Sequence, residues 1–197
     1  LAHHDQLTNL PNRLALDSHL DALLDGAVPG INRLALMIID LDNFKTVNDS
    51  LGHHSGDRLL AELARRMGAE MDRSTRLFRL GGDEFVVVFD QLDRDNAVVV
   101  LVDRLVSVIG LPCEIDGHSL HITPSIGISL YPEHGRDGLT LIRNADAAMY
   151  AAKAAGRHNH KFFADSMNAA ANKRLHLESE FWRAQAENQL VRHYQPQ

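Results

Sequence analysis

Two aspartates in this 197-residue chain stand where a divalent cation could use them. Asp40 follows the apolar run Leu34-Ala35-Leu36-Met37-Ile38-Ile39, and Asp83 lies in Gly81-Gly82-Asp83-Glu84 between two short apolar segments. If that run and those segments are sheet neighbours, the two carboxylates face each other. A Mg²⁺ site for a nucleoside triphosphate is commonly assembled from one or two carboxylates, with phosphate oxygens and water completing the octahedron. Taken singly, an aspartate at a strand end is far more often a turn or cap residue than a ligand, and Gly-Gly in a hairpin is ordinary turn chemistry.

The elements that must position these groups follow from periodicity. Leu16, Leu20, Leu23 and Leu24 recur at helical spacing after Pro11, so residues 12–28 read as an amphipathic helix closed by Gly26 and Pro29-Gly30. The run 34–39 is apolar on both faces and short, as a buried central strand would be, with Asp40 at its C-terminal end. From Ser55, read as an N-cap, Leu59, Leu63 and Met67 form one helical stripe that weakens at Gly68 and ends near 72. Strands at 75–80 and 85–90 flank the 81–84 hairpin.

Residues 95–109 are valine-rich, yet Val98, Val102, Leu105 and Ile109 keep a helical face, with Gly110 as the cap. Asp116-Gly117 marks a second hairpin, and 125–131 reads as a strand. Leu141, Ala145, Ala148, Met149 and Ala152 define a helix ending at Gly156, and Phe162-Phe163 a last strand. Interleaved helices and strands imply an α/β fold, a mixed central sheet flanked by helices. Beyond Asp165, one long helix to Glu187 and a strand-like run 189–194 are expected.

Composition narrows the partners. A net charge of −6 argues against nonspecific nucleic-acid binding, which draws on clustered Lys and Arg. Cys113 is the sole cysteine and cannot form an internal disulfide, so a cytoplasmic location is expected. The apolar runs 34–39 and 97–102 fall far short of the ~20 residues of a membrane helix, so any tether would have to lie outside this segment.

Five motifs occur together. Asp40-Leu41-Asp42-Asn43-Phe44-Lys45-Thr46-Val47-Asn48-Asp49 has the form D-x-D-x-F-K-x-x-N-D, and Gly52-His53-His54-Ser55-Gly56-Asp57 the form G-H-x-x-G-D. Arg79-Leu80 leads into Gly81-Gly82-Asp83-Glu84-Phe85. Asp5-Gln6-Leu7-Thr8-Asn9-Leu10-Pro11-Asn12-Arg13 precedes these, and Ala145-Asp146-Ala147-Ala148-Met149-Tyr150-Ala151-Ala152-Lys153 with Gly156-Arg157 follows. In this order they resemble the GGDEF diguanylate cyclases over residues 5–163. The resemblance implies a fold similar to the nucleotidyl cyclase and polymerase palm, and condensation of two GTP molecules into cyclic di-GMP.

By matching position, the resemblance assigns two Mg²⁺ or Mn²⁺ ions per site to the carboxylates of Asp40 and Asp83 and the carbonyl of Leu41. Asp83 is also the family's candidate base for the ribose 3′-hydroxyl, and Glu84 has a supporting role beside the metals. Lys45 would stabilise charge developing on the α-phosphate. Gly81 and Gly82 let the nucleotide approach the hairpin backbone. Asn48 and Asp57 would read the guanine edge, a pattern adenine cannot satisfy. Lys153 and Arg157, one helical turn apart, would face the β- and γ-phosphates. His53 is placed with the substrate-binding positions, but neither it nor His54 is expected to bind a hard cation. Each site holds one GTP, so two protomers must face each other with two-fold symmetry.

The chain departs from the family at one place. The inhibitory R-x-x-D motif that binds product in many members falls here on Asp72 and Thr75, with Arg73 and Arg76 out of register, so that site is expected to be absent. His193-Tyr194-Gln195-Pro196-Gln197 resembles the opening strand of the EAL phosphodiesterases. Residues 1–163 are thus expected to be the cyclase domain, and 164–197 a linker helix and the start of a truncated EAL domain, with an upstream sensor in the full-length protein. The alternative is a GTP-binding module that regulates an attached EAL phosphodiesterase with little or no cyclisation.

Overall fold

The computed structural model describes residues 2–90, 92 and 96–168, and residues 1–163 make one compact unit. The expected helix to Glu187, apart from a helical turn at 165–168, and the run 189–194 lie outside the described residues.

Asn12 caps the first helix, its side chain accepting from the Ala15 amide, and α1 runs Arg13–Leu24 with Leu16 and Leu20 buried. It is shorter than 12–28 because the Asp25 backbone is already extended. Strand β1, Leu34–Leu41, is buried throughout and so includes Asp40 itself. Helices α2 (Phe44–Leu51) and α3 (His53–Ala69) follow, broken at Gly52, whose φ of 84° favours glycine. Ser55 is therefore not the N-cap expected of it. It lies within α3, and its hydroxyl donates to Asp116 Oδ2 at 2.7 Å.

β2 (Thr75–Gly81) and β3 (Glu84–Phe89) form the signature hairpin, with a bulge between Arg79 and Gly81. The valine-rich segment is helical, α4 spanning Ala97–Gly110, because its tertiary face overrides β propensity. Asp116 (φ 51°) and Gly117 (φ 80°) turn the small β4–β5 hairpin, Cys113–Ile115 and His118–Leu120. Then come β6 (Pro124–Tyr131), α5 (Gly138–Ala154, capped by Asp137) and β7 (Asn159–Phe162).

The main sheet has the order β2-β3-β1-β6-β7, antiparallel except for the parallel β6–β7 pair. Alternation along the strands sends Met37, Ile39, Phe85 and Val87 to one face with Leu59, Leu63, Leu105 and Val102 of α3 and α4. It sends Leu36, Ile38, Val86 and Val88 to the other with Leu20 of α1 and Ala145 and Met149 of α5. Helices on both faces explain why β1 reads as a continuous apolar run. The approach of α5 to β6 depends on Gly127, where a Cβ would stand 2.0 Å from the Ala145 carbonyl oxygen and 2.1 Å from the Met149 nitrogen.

Candidate active site

β1 lies between β3 and β6, so its C-terminal end delivers Asp40 beside the signature hairpin. The register places Glu84 directly across from Asp40, with Ser125 on the other side, and Asp83 at the turn one residue earlier. The expectation that Asp83 faces Asp40 is thus refined. Directly opposed residues share a face, so Glu84 is the immediate carboxylate neighbour.

That face is the one α5 covers. Lys153 Nζ lies 2.7 Å from Asp40 Oδ2, and the two side chains are 28% and 9% exposed. Burial raises the Asp40 carboxyl, the Lys153 hydrogen bond opposes it, and Asp83 and Asp42 add repulsion, leaving it above its ordinary value. Glu84 is raised by burial and then by Asp40, Asp146 and Asp83. Asp146 is raised by desolvation against the pull of Lys153. Asp146 was not among the residues singled out for chemistry, although its position seven residues before Lys153 puts both on one side of α5.

Among the described residues no three Asp, Glu, His or Cys side chains already converge on a cation-sized point. The donor set nonetheless suits a hard cation, because it consists of oxygens and includes two carboxyls raised first by burial and then by neighbouring carboxylates, Asp83 for both, a repulsion that a cation relieves.

The remaining candidates sit on α2, on α3, in the hairpin turn and in the turn after α5. Lys45 is exposed in the first turn of α2, and Asp57 and His53 are exposed near the start of α3. Asn48 is half-buried, its Oδ1 enclosed without a hydrogen-bond partner. The space for that amide comes from Gly56, where a Cβ would fall 1.9 Å from Asn48 Oδ1. Gly56 thereby couples the two motifs, a role that appears only once α2 and α3 are packed. Gly81 and Gly82 are exposed, with φ of 136° and 53°. Arg157 sits in the turn after α5, its Nε 4.0 Å from Asp42 Oδ1.

The hairpin is braced from the amino-terminal segment. Arg79, 7% exposed, donates to Asp5 Oδ1 at 2.6 Å and to the Gly82 carbonyl at 2.7 Å. Burial tends to raise the Asp5 carboxyl, but the Thr8 hydroxyl and amide and the Arg79 guanidinium hold it below its ordinary value. At the Asp72 and Thr75 positions, Asp72 Oδ1 accepts from the Ser74 amide, the Ser74 hydroxyl and the Thr75 hydroxyl at 2.8–3.0 Å, closing the turn into β2. Arg73 and Arg76 are exposed.

Comparison with known proteins agrees with this architecture. The family model for the GGDEF domain of diguanylate cyclases matches residues 2–159. The chain is 45% identical over 196 residues to the bifunctional diguanylate cyclase/cyclic di-GMP phosphodiesterase MucR of Pseudomonas aeruginosa, covering all of this chain and 28% of that protein. It is 39% identical to the cyclic di-GMP phosphodiesterase NbdA of the same organism, covering 25% of it. A solved structure of an amino-terminally truncated Pseudomonas aeruginosa TpbB comprising only the GGDEF domain superposes with a TM-score of 0.82 at 35% identity, covering 86% of this chain and 99% of that one. No helix among the described residues is long and apolar enough to cross a membrane. The signature hairpin, the sheet order that brings it to Asp40 and these matches lead to one conclusion: the chain belongs to the GGDEF family of diguanylate cyclase domains.

Proposed function

We propose that this domain condenses two GTP molecules into cyclic di-GMP and two pyrophosphates, acting as a two-fold dimer. The observation that supports the reading is the meeting of Asp40, Glu84 and Lys153 at the end of β1, two carboxyls and an ammonium on one face of the sheet. Asp40, Asp83 and the Leu41 carbonyl would hold two Mg²⁺ or Mn²⁺ ions, which when bound neutralise phosphate charge and make the attacking hydroxyl more acidic.

The chain's own residues then do the following. Asn48 and Asp57 hold the guanine edge, and Gly81 and Gly82 admit the nucleotide to the hairpin backbone. Lys153 and Arg157 orient the β- and γ-phosphates, and Lys45 stabilises charge developing on the α-phosphate. The 3′-oxygen of each nucleotide forms a bond to the other's α-phosphorus as the bond to its β-phosphate oxygen breaks, and pyrophosphate leaves. The 3′-hydroxyl proton would pass to Asp83, the candidate base, with Glu84 beside it in a supporting role.

A second reading, a GTP-binding module regulating an attached EAL phosphodiesterase, draws on the match to NbdA across the whole chain. Turnover by the wild-type domain separates the two, with Asp83→Asn as the control on the site. The cyclase reading expects cyclic di-GMP formation to be abolished in that variant while guanine recognition persists, and product formed by it at the wild-type rate would sink the assignment. Asp57→Ala should relax the preference for GTP over ATP, and an unchanged preference would leave Asp57 a helix residue only.

A further inference from the structure

Asp42 lies two residues beyond Asp40, in the same motif, and its side chain is 1% exposed. Its Oδ1 accepts from the Ser125 hydroxyl at 2.7 Å, and its Oδ2 from the Thr123 hydroxyl at 2.7 Å and the His158 amide at 3.0 Å. Its own amide donates to the Thr123 carbonyl at 2.8 Å. Burying a carboxylate is costly unless it is paired and hydrogen-bonded. Here it ties three segments together: the end of β1, the start of β6, and the turn joining α5 to β7.

That turn is under strain. Gly156, Arg157 and His158 have φ of 111°, 62° and 49°, two of them non-glycine residues in the left-handed region. Such a conformation persists only where the surroundings enforce it. Asn159 Nδ2 holds the inner side through the Ala152 and Arg157 carbonyls, and Asp42 holds the outer side through the His158 amide. Arg157 thus leaves the turn with its Nε 4.0 Å from Asp42 while its side chain remains half exposed, and Lys153, still within α5, sits on Asp40.

We propose that Asp42 is a positioning residue, which fixes the turn after α5 so that Lys153 and Arg157 present their cations to the β- and γ-phosphates of the nucleotide. The inference rests on the reading of this site as a GTP site. It makes one motif responsible for both halves of that site, Asp40 at the metals and Asp42 behind the phosphate-binding cations. A neutral asparagine at 42, with its amide nitrogen toward the Ser125 hydroxyl, keeps the Thr123 and His158 contacts but loses the charge that draws Arg157 in.

The test compares two ligands, GMP and guanosine 5′-(α,β-methylene)triphosphate, whose carbon bridge prevents loss of pyrophosphate. Asp42→Asn should weaken the triphosphate analogue about tenfold, the lower range for a residue orienting a ligand-binding group, and leave GMP affinity unchanged. In an Arg157→Ala background the same change should add little, because coupled residues are not additive. Thr123→Val, which removes one hydroxyl donor at similar shape, should show the same pattern more weakly and carries the test if Asp42→Asn does not fold. Equal losses for the two ligands, full additivity with Arg157→Ala, or wild-type affinities in both variants would overturn the proposal. A wild-type domain that binds neither ligand would overturn the GTP reading and the proposal with it.

Discussion

Lys153 Nζ sits 2.7 Å from Asp40 Oδ2, so the cation assigned to the nucleotide phosphates and the carboxylate assigned to the metal neutralise each other across the α5–β1 contact. In the proposed reading metal and nucleotide compete with this pair, and each charge would exchange one partner for another, so that neither would be left buried and uncompensated.

Removing the lysine should therefore have opposite effects on the two ligands. Lys153→Met frees Asp40 of its competitor, so Mn²⁺ alone should bind more tightly than to wild type. The KM for GTP should rise about tenfold, the loss of one charge-assisted phosphate contact. Calorimetric titration with Mn²⁺ and steady-state kinetics check the two halves, and Mn²⁺ affinity that fell along with that for GTP would contradict the competition.

The raised carboxyls predict how metal binding depends on pH. Asp40, Glu84 and Asp146 have folded-state values above their ordinary ones, so the stability they contribute is present below the ordinary carboxylate range and is lost as pH rises through the raised values. At neutral pH a cation relieves that repulsion. Mg²⁺ should raise the Tm at neutral pH, and the gain should shrink as pH falls toward the carboxylate range, where protons compete with the cation for the raised carboxyls. A metal increment independent of pH in thermal melts would contradict this.

Gly127 lets the α5 backbone lie against β6, and an alanine there meets backbone atoms rather than a mobile side chain. Gly127→Ala should cost about 3 kcal/mol, the upper part of the range for overpacking. Denaturant unfolding measures it, and a loss below about 1 kcal/mol would show that α5 can retreat without consequence.

Asp5 and the Gly82 carbonyl share one buried guanidinium. Asp5→Asn removes the charge partner of Arg79 and should cost about 2 kcal/mol, the scale of a hydrogen bond between charged groups. Because the Asp5 carboxyl is held below its ordinary value, its contribution is present above the ordinary value and lost as pH falls through the depressed one. The stability difference between wild type and Asp5→Asn should therefore close in acid, and a difference that persisted there would place the effect elsewhere.

Much of this was legible in the sequence because it depends on local chemistry and period. The apolar run before Asp40, the glycine-rich hairpin and Asp116-Gly117 each specify a structure within a few residues, whereas Lys153 and Arg157 are not one helical turn apart, because α5 ends at Ala154 and Arg157 follows Gly156 into left-handed backbone. Ser55 misled because a serine ahead of a helical stripe resembles an N-cap, whereas Gly52 had already ended α2 and let α3 begin at His53. The pairing of Asp40 with Glu84 follows from β-sheet register, which the strand sequences do not state. Gly56 and Gly127 matter through what packs against them, Asn48 in one case and α5 in the other. Asp42 was visible as part of a motif, but its partners Thr123, Ser125 and His158 come from positions more than eighty residues away.

The most direct test of the central claim is to incubate the purified domain with GTP and Mg²⁺ at several protein concentrations and to resolve the products by chromatography. The account predicts cyclic di-GMP and pyrophosphate, with a rate per protomer that climbs with protein concentration because two sites must meet, and no product from Asp83→Asn. GTP that binds and is recovered unchanged at every concentration would contradict it.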